Sequence, residues 1–157
     1  MSNDKMNLAK QTFAAVCKAL EDLNLKFERR DDDLFANFIM NGDDLPMDII
    51  IAVDADRELV RLLSFMPFNM AEDKRVEGAV ITSVANLGMQ DGLFVYDLSD
   101  GSIMYKLVSS YKHGTIGKDL IEYMIALGCA MIEQYNDRFF AVNKGFMSLQ
   151  DFIAKES

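Results

Sequence analysis

Between residues 26 and 66 four β-prone runs follow one another with only turn residues between them. No other feature constrains the fold as tightly. Strands joined by a handful of residues return antiparallel, because a parallel neighbour needs a crossover of a dozen residues or more. The runs are 26–30, 34–40, 47–53 and 59–66, separated by Asp31-Asp32-Asp33, by NGDDLP over 41–46 and by residues 54–58. Asp, Asn, Gly and Pro are turn-prone and scarce inside strands. A further hairpin leaves Gly92, turns at Ser99-Asp100-Gly101 and returns through Ile103, Tyr105 and Leu107. Asp-Gly gives a tight turn its positive φ at no steric cost.

Helical periodicity brackets these hairpins. Residues 7–24 set Phe13, Val16, Leu20 and Leu23 at spacings of three and four, with Cys17 beside them. Pro67 stops the fourth run, and Asn69 stands as N-cap of a second helix. Its first turn holds Glu72 and Asp73, and its stripe is Val76, Val80, Val84 and Leu87. A third helix over 116–140 carries Leu120, Met124, Leu127, Met131 and Tyr135, with Ile121, Ile125 and Ile132 as a second line. After Gly145, Ser148 with Asp151 reads as the cap of a tail helix bearing Leu149, Phe152 and Ile153.

The predicted class is α+β, an antiparallel sheet of five to six strands with helices packed on it, in the order α-β-β-β(β)-α-β-β-α. The strand count is open because Phe27 is the one apolar residue of the first run. Without repeats or linkers, 157 residues fit one domain, its core over about 8–140 and a helical extension over 145–157.

The strands do not alternate cleanly between apolar and polar, as a half-solvated antiparallel sheet should. Ile49, Ile51 and Val53 oppose Ile50 and Ala52; Leu63 and Phe65 oppose Val60, Leu62 and Met66. Leu34, Ala36, Phe38 and Met40 oppose Phe35 and Ile39, and Leu93 and Val95 oppose Phe94 and Tyr96. Either the first and third helices lie on opposite faces, or a second copy or a partner segment completes the core. The candidate interface is Ile50, Ala52, Val60, Leu62, Phe94, Tyr96 and Met104. Eleven methionines suit an adaptable surface, though they fill cores as readily.

A net charge of −9 argues against a nucleic-acid surface, which needs basic residues to neutralise phosphate, and against anionic lipid. No apolar run is long enough for a membrane span, and MSNDKMNLAK has none of the apolar core of a signal peptide. Cys17 and Cys129, with no CxxC, are expected as free thiols in a reducing cytoplasm.

The patterns that carry chemistry are each incomplete. Gly114 to Asp119 (GTIGKD) half matches a phosphate loop, but Lys112 stands where the first glycine belongs and Asp119 where a hydroxyl is needed. Asp54-Ala55-Asp56-Arg57-Glu58 opens like a calcium loop but lacks its glycine and closing glutamate. Asp31 to Asp33 could meet Asp43 and Asp44 if two hairpin tips converge; solvated tips are the plainer reading. His113 near Ser109 and Ser110 has no orienting acid at a recognisable spacing. Neither cysteine has a cationic neighbour within a turn that argues for a lowered pKa. No catalytic residue, cofactor or metal is expected.

The second half resembles the YbjN family, bacterial proteins described as regulators of sensory transduction with a type III secretion chaperone-like fold. The resemblance rests on Asn86, on Gly92-Leu93-Phe94-Val95-Tyr96-Asp97, on Asp100-Gly101, Ile103, Tyr105 and Lys106, and on a final helix with Tyr135. It spans about 8–140 and is clearest from Glu72 onward; the segment after Gly145 looks like an addition. It implies a small acidic cytoplasmic module, often dimeric, without catalytic residues. Chaperones of similar shape hold extended client segments on apolar patches, and open sheet edges would suit strand addition.

Three functional readings follow. The first is a non-enzymatic protein-binding module, chaperone-like or regulatory and homodimeric. The second is a sensor with a small apolar ligand between helices and sheet. The third is an enzyme that uses clustered aspartates and a divalent cation.

Overall fold

A computed structural model describes residues 2–112 and 114–156. The chain runs α1 (Asn3–Asp22), β1 (Glu28–Arg30), β2 (Phe35–Asn41), β3 (Pro46–Asp54) and β4 (Leu59–Asn69). It continues with α2 (Arg75–Leu87), β5 (Leu93–Asp97), β6 (Ser102–Ser110), α3 (Lys118–Lys144) and α4 (Leu149–Glu156). The strands form one antiparallel sheet in the order β1-β2-β3-β4-β6-β5. The α+β class and the order of elements are as predicted, with six strands.

Every hairpin closes over a four-residue loop, at the pairs Arg30–Phe35, Asn41–Pro46, Asp54–Leu59 and Asp97–Ser102. In three of them the last loop residue has positive φ: Leu34, Glu58 and Gly101. The Asp-Gly turn is therefore a four-residue loop closed by the Gly101 N–H on the Asp97 carbonyl at 2.8 Å. An even loop length pairs an even-numbered residue with an odd one, so the side that faces the core switches parity at each hairpin. The core side is Ala36 and Phe38 on β2, Ile49, Ile51 and Val53 on β3, and Val60, Leu62, Ser64 and Met66 on β4. Ile103, Tyr105 and Leu107 on β6 and Phe94 on β5 complete it.

All four helices gather on that side. α1 packs on β2, β3 and α3; α3 crosses β4 and β6; α2 packs on β5 and α3; α4 packs on α2 and α3. Because α1 and α3 touch, they do not sandwich the sheet, which decides one alternative left by the sequence. Phe94 sits at the centre of an aromatic cluster, with Tyr105, Tyr135 and Phe139 edge-on at 5.6, 5.5 and 4.9 Å. Phe152 of α4 stacks on Phe139 at 5.8 Å.

Several local expectations change. α2 buries Gly78, Ile81, Thr82 and Ala85, whereas Val76 and Leu87 of the expected stripe are exposed. Small residues let the helix approach β5: a Cβ at Gly78 would lie 2.5 Å from the Tyr96 hydroxyl. In α3 the expected second line, Ile121, Ile125 and Ile132, is buried, while Leu120 is exposed. Pro67 does not stop β4; it lies in a stretch of irregular register between Phe65 and Asn69, where a missing N–H costs no regular rung. Asn69 ends β4 rather than capping α2, and Asn143 of α3 accepts the Ala71 N–H at 2.7 Å. The Ser148 cap is present, its Oγ accepting from the Asp151 N–H at 3.1 Å.

Candidate protein-binding face

The side of the sheet away from the helices carries its residues in rows set by the register. Phe35, Ala52, Arg61 and Val108 make one row; Asn37, Ile50, Leu63, Lys106 and Leu93 make the next. A third holds Ile39 beside Asp48, and Phe65, Met104 and Val95. Ile39 is 63% exposed and Phe65 54%, and Leu93, Val95 and Val108 are also open to solvent. Ile50, Ala52, Leu63 and Met104 are half-buried. A contiguous apolar patch of this kind marks an interaction surface more often than scattered exposed side chains do.

Arg61, Asp54, Asp48 and Lys106 punctuate the patch, with Arg57 reaching in from the adjoining turn. The Arg61 guanidinium lies 2.7 Å from Asp54 Oδ2, and Arg57 joins it at 3.1 Å. The Arg57 backbone N–H and the two guanidinium groups hold the Asp54 carboxyl below its ordinary range, against the opposing effect of burial. Asp48 accepts a hydrogen bond from Asn37 Nδ2 at 2.5 Å. Lys106 is half-buried and has no ion-pair partner among the described residues. Arg61, Lys106, Asp48 and Asp54 balance one another in a chain that carries −9.

Pairing of β3 with β4 ends at Ile50–Leu63. Beyond that rung a groove of about 290 Å³ opens, lined by Ile39, Pro46, Asp48, Ile50, Phe65, Met66 and Pro67.

Of the residues nominated from sequence, Ile50, Ala52 and Met104 lie on this open face. Val60, Leu62 and Phe94 are buried under the helices, and Tyr96 points the same way, its hydroxyl donating to the Arg75 carbonyl at 2.6 Å. The nomination carried one parity across all strands, and the four-residue loops reverse it. Ile50 pairs with Leu63, not Leu62, and Met104 pairs with Val95, not Phe94. Leu63, Phe65, Ile39, Leu93, Val95 and Val108 complete the face instead.

The sheet edges are less available than the resemblance implied. Asn86 donates from Nδ2 to the Phe94 carbonyl at 2.9 Å and accepts the Phe94 N–H on Oδ1 at 2.7 Å, so its side chain stands where a further strand would bond. The opposite edge, β1, is three residues long and charged throughout, two common devices against strand addition. The space offered for a ligand between helices and sheet is filled by the aromatic cluster. α4 packs on helices and leaves the open face uncovered.

The other patterns resolve into scaffolding. Lys118 of the half-matched phosphate loop pairs with Asp22 at 3.1 Å, and Asp54 caps its own turn by accepting the Arg57 N–H at 3.0 Å. The two aspartate-rich tips lie at opposite ends of β2, so they do not converge. Glu133 of α3 accepts the N–H groups of Asp43 and Asp44 at 2.8 and 3.1 Å and holds that loop. Burial pushes the Cys129 thiol up to about 11 and raises Cys17, the reverse of activation. His113 lies outside the described residues. No helix among them is long and apolar enough to cross a membrane.

No family model and no curated protein matches the chain. Solved structures do. A chain of the ExsC–ExsE complex is similar with a TM-score of 0.61 and 13% identity, over 83% of this chain and 94% of that one. YbjN, a proposed transcription regulator from E. coli, gives 0.60 and 11%, over 80% and 92%. A chain of the HopA1–SchA chaperone–effector complex gives 0.55 and 13%, over 84% and 96%. At such identities the likeness establishes the fold, which is type III secretion chaperone-like.

Proposed function

We propose that this chain is a non-enzymatic protein-binding module, chaperone-like or regulatory, that works as a homodimer and uses the open face of its sheet as its protein-binding surface. The observation that carries the reading is the uncovered apolar face: five neighbouring strands present Ile39, Ile50, Leu63, Phe65, Met104 and Val95 to solvent. Support comes from the similar structures, two of which are complexes with protein partners, one named as chaperone with effector. On this reading the chain belongs with the YbjN-like proteins and acts in the cytoplasm.

The mode of binding is apolar docking on a pre-formed sheet surface, not strand addition, because Asn86 occupies the β5 edge. The test is affinity capture from the native host, followed by reconstitution of the captured protein with pure wild type and with Phe65→Asp. Binding is expected to fall by about a hundredfold in the variant, the loss typical of a central interface anchor. Phe146→Asp, at an exposed position outside the face, should bind normally. Equal affinity for all three proteins would refute the reading.

A further inference from the structure

We infer that a second copy of this chain covers the open face, sheet against sheet, with Lys106 of each protomer seated in the β3–β4 groove of the other. The inference rests on the open face being a binding face and names its occupant. The groove comes first: Ile39, Pro46, Ile50, Phe65, Met66 and Pro67 make an apolar slot, and Asp48 is its one carboxylate. Such a slot matches a lysine, whose aliphatic stem is covered by apolar walls while its ammonium ends on the carboxylate.

The face supplies that lysine itself. Lys106 stands between Leu63 and Leu93 with no ion-pair partner among the described residues, whereas Arg61 on the neighbouring strand is engaged by Asp54. Asp48 accepts from Asn37 Nδ2 on Oδ1, which leaves Oδ2 able to accept from a lysine. Charge allows the approach as well: two chains of −9 repel, but at the centre of this face Arg61 and Lys106 offset Asp48 and Asp54.

Symmetry closes the arrangement. β6 and the groove lie on either side of β4, and the midpoint between Lys106 and the groove falls over Leu63 and Phe65. A two-fold axis through that midpoint exchanges the two, giving an isologous contact with two Lys106–Asp48 pairs around a core of Leu63 and Phe65. Five strands about 4.8 Å apart and three rows about 6.8 Å apart cover roughly 24 by 20 Å. Side-chain relief raises the buried surface above that flat footprint, toward the ~800 Å² per partner that a standard interface buries.

Sedimentation velocity over micromolar concentrations tests this with Lys106→Glu, Asp48→Lys, an equimolar mixture of the two, and Phe65→Asp, each checked for native circular dichroism. The wild type is expected to dimerise. Each charge reversal alone should raise the dissociation constant by about tenfold or more, because it sets like charges together twice per dimer. The mixture should recover the dimer, since both contacts then join opposite charges. A mixture that stays monomeric, or a wild-type dimer indifferent to both reversals, overturns the inference. Dissociation by Phe65→Asp alone would keep the open face as an interface and overturn the Lys106–Asp48 register. A monomeric wild type overturns the second copy, and a captured partner still lost with Phe65→Asp would leave the binding face standing.

Discussion

Ile49 and Ile50 are neighbours in sequence, identical in chemistry and paired into the same sheet, yet one is sealed under helices and the other faces outward. The same contrast runs through every strand: Leu62 against Leu63, Phe94 against Val95, Tyr105 against Met104. Hydrophobicity does not separate the two faces, because both are apolar. What separates them is the layer above. The inner face meets four helices and an aromatic cluster, which fill its space with fixed contacts. The outer face has the same kind of side chains and no layer of its own. One face therefore supplies the stability of the chain, and the other can be spent on a partner without unfolding it.

The strongest way to test that division is to cut into the inner layer. Phe139 is fully buried and contacts the rings of Phe94, Tyr135 and Phe152. Phe139→Ala should cost about 3–5 kcal/mol, the loss expected for a buried aromatic that leaves a cavity, measured by urea denaturation. Asn86→Ala should cost less, about 2 kcal/mol, because it leaves the main-chain donor and acceptor of Phe94 without their partner. It should also change the edge: with Asn86 gone, the Phe94 amide is expected to lose protection in hydrogen exchange. Unchanged protection would mean that the side chain is not what closes β5.

Alkaline pH probes the same layer without a mutation. Burial pushes Tyr105 and Tyr135 each up to about 12, aided at Tyr135 by the hydrogen bond its hydroxyl donates to Glu156 at 2.9 Å. A folded-state value above the unfolded one means that the native protein holds these protons more tightly. Their contribution is fully present below pH 10, the ordinary tyrosine value, and is lost as pH rises from about 10 to about 12. Stability followed by denaturant titration should fall across that window, and Tyr135→Phe should flatten the fall. At acid pH the sign reverses for Asp54, whose folded value is lowered: its contribution is present above the unfolded carboxylate value and disappears as pH drops through the folded one.

How much of this was legible beforehand follows from what each feature depends on. The hairpins, the three main helices and the tail cap depend on local turn chemistry and periodicity, and the sequence carries both. The two-sided apolar strands were legible too, since alternation within a strand needs no partner. Which side faces the helices was not, because it depends on loop length through the register: a four-residue loop reverses parity, and Val60, Leu62, Phe94 and Tyr96 fell on the wrong side for that reason. The α2 stripe failed for another cause. Its Val76 and Leu87 have the hydrophobicity of core residues, but close approach to Tyr96 selects the face with Gly78, a steric preference that hydrophobic spacing does not register. Asn86 stood out as part of a pattern, and the structure supplies its reason, a side chain that imitates a strand.

The smallest expected effect sharpens the comparison most. Phe65→Asp places a charge among apolar neighbours on the open face, and in an isolated chain the site is hydrated, so its cost should stay within about 0.5 kcal/mol. The matching change on the inner face, Ile51→Asp, would bury an unpaired carboxylate and should leave no folded protein. A cost above about 2 kcal/mol for Phe65→Asp would show that the outer face is covered in the protein as measured. Protein concentration tells whether the cover is a second copy. Association with a folded partner stabilises by mass action, so the wild-type denaturation midpoint should rise with concentration. The midpoint of Phe65→Asp should not. Converging midpoints at low concentration and diverging ones at high concentration would assign the outer face to self-association, while parallel behaviour at all concentrations would assign any stability difference to the fold of a single chain.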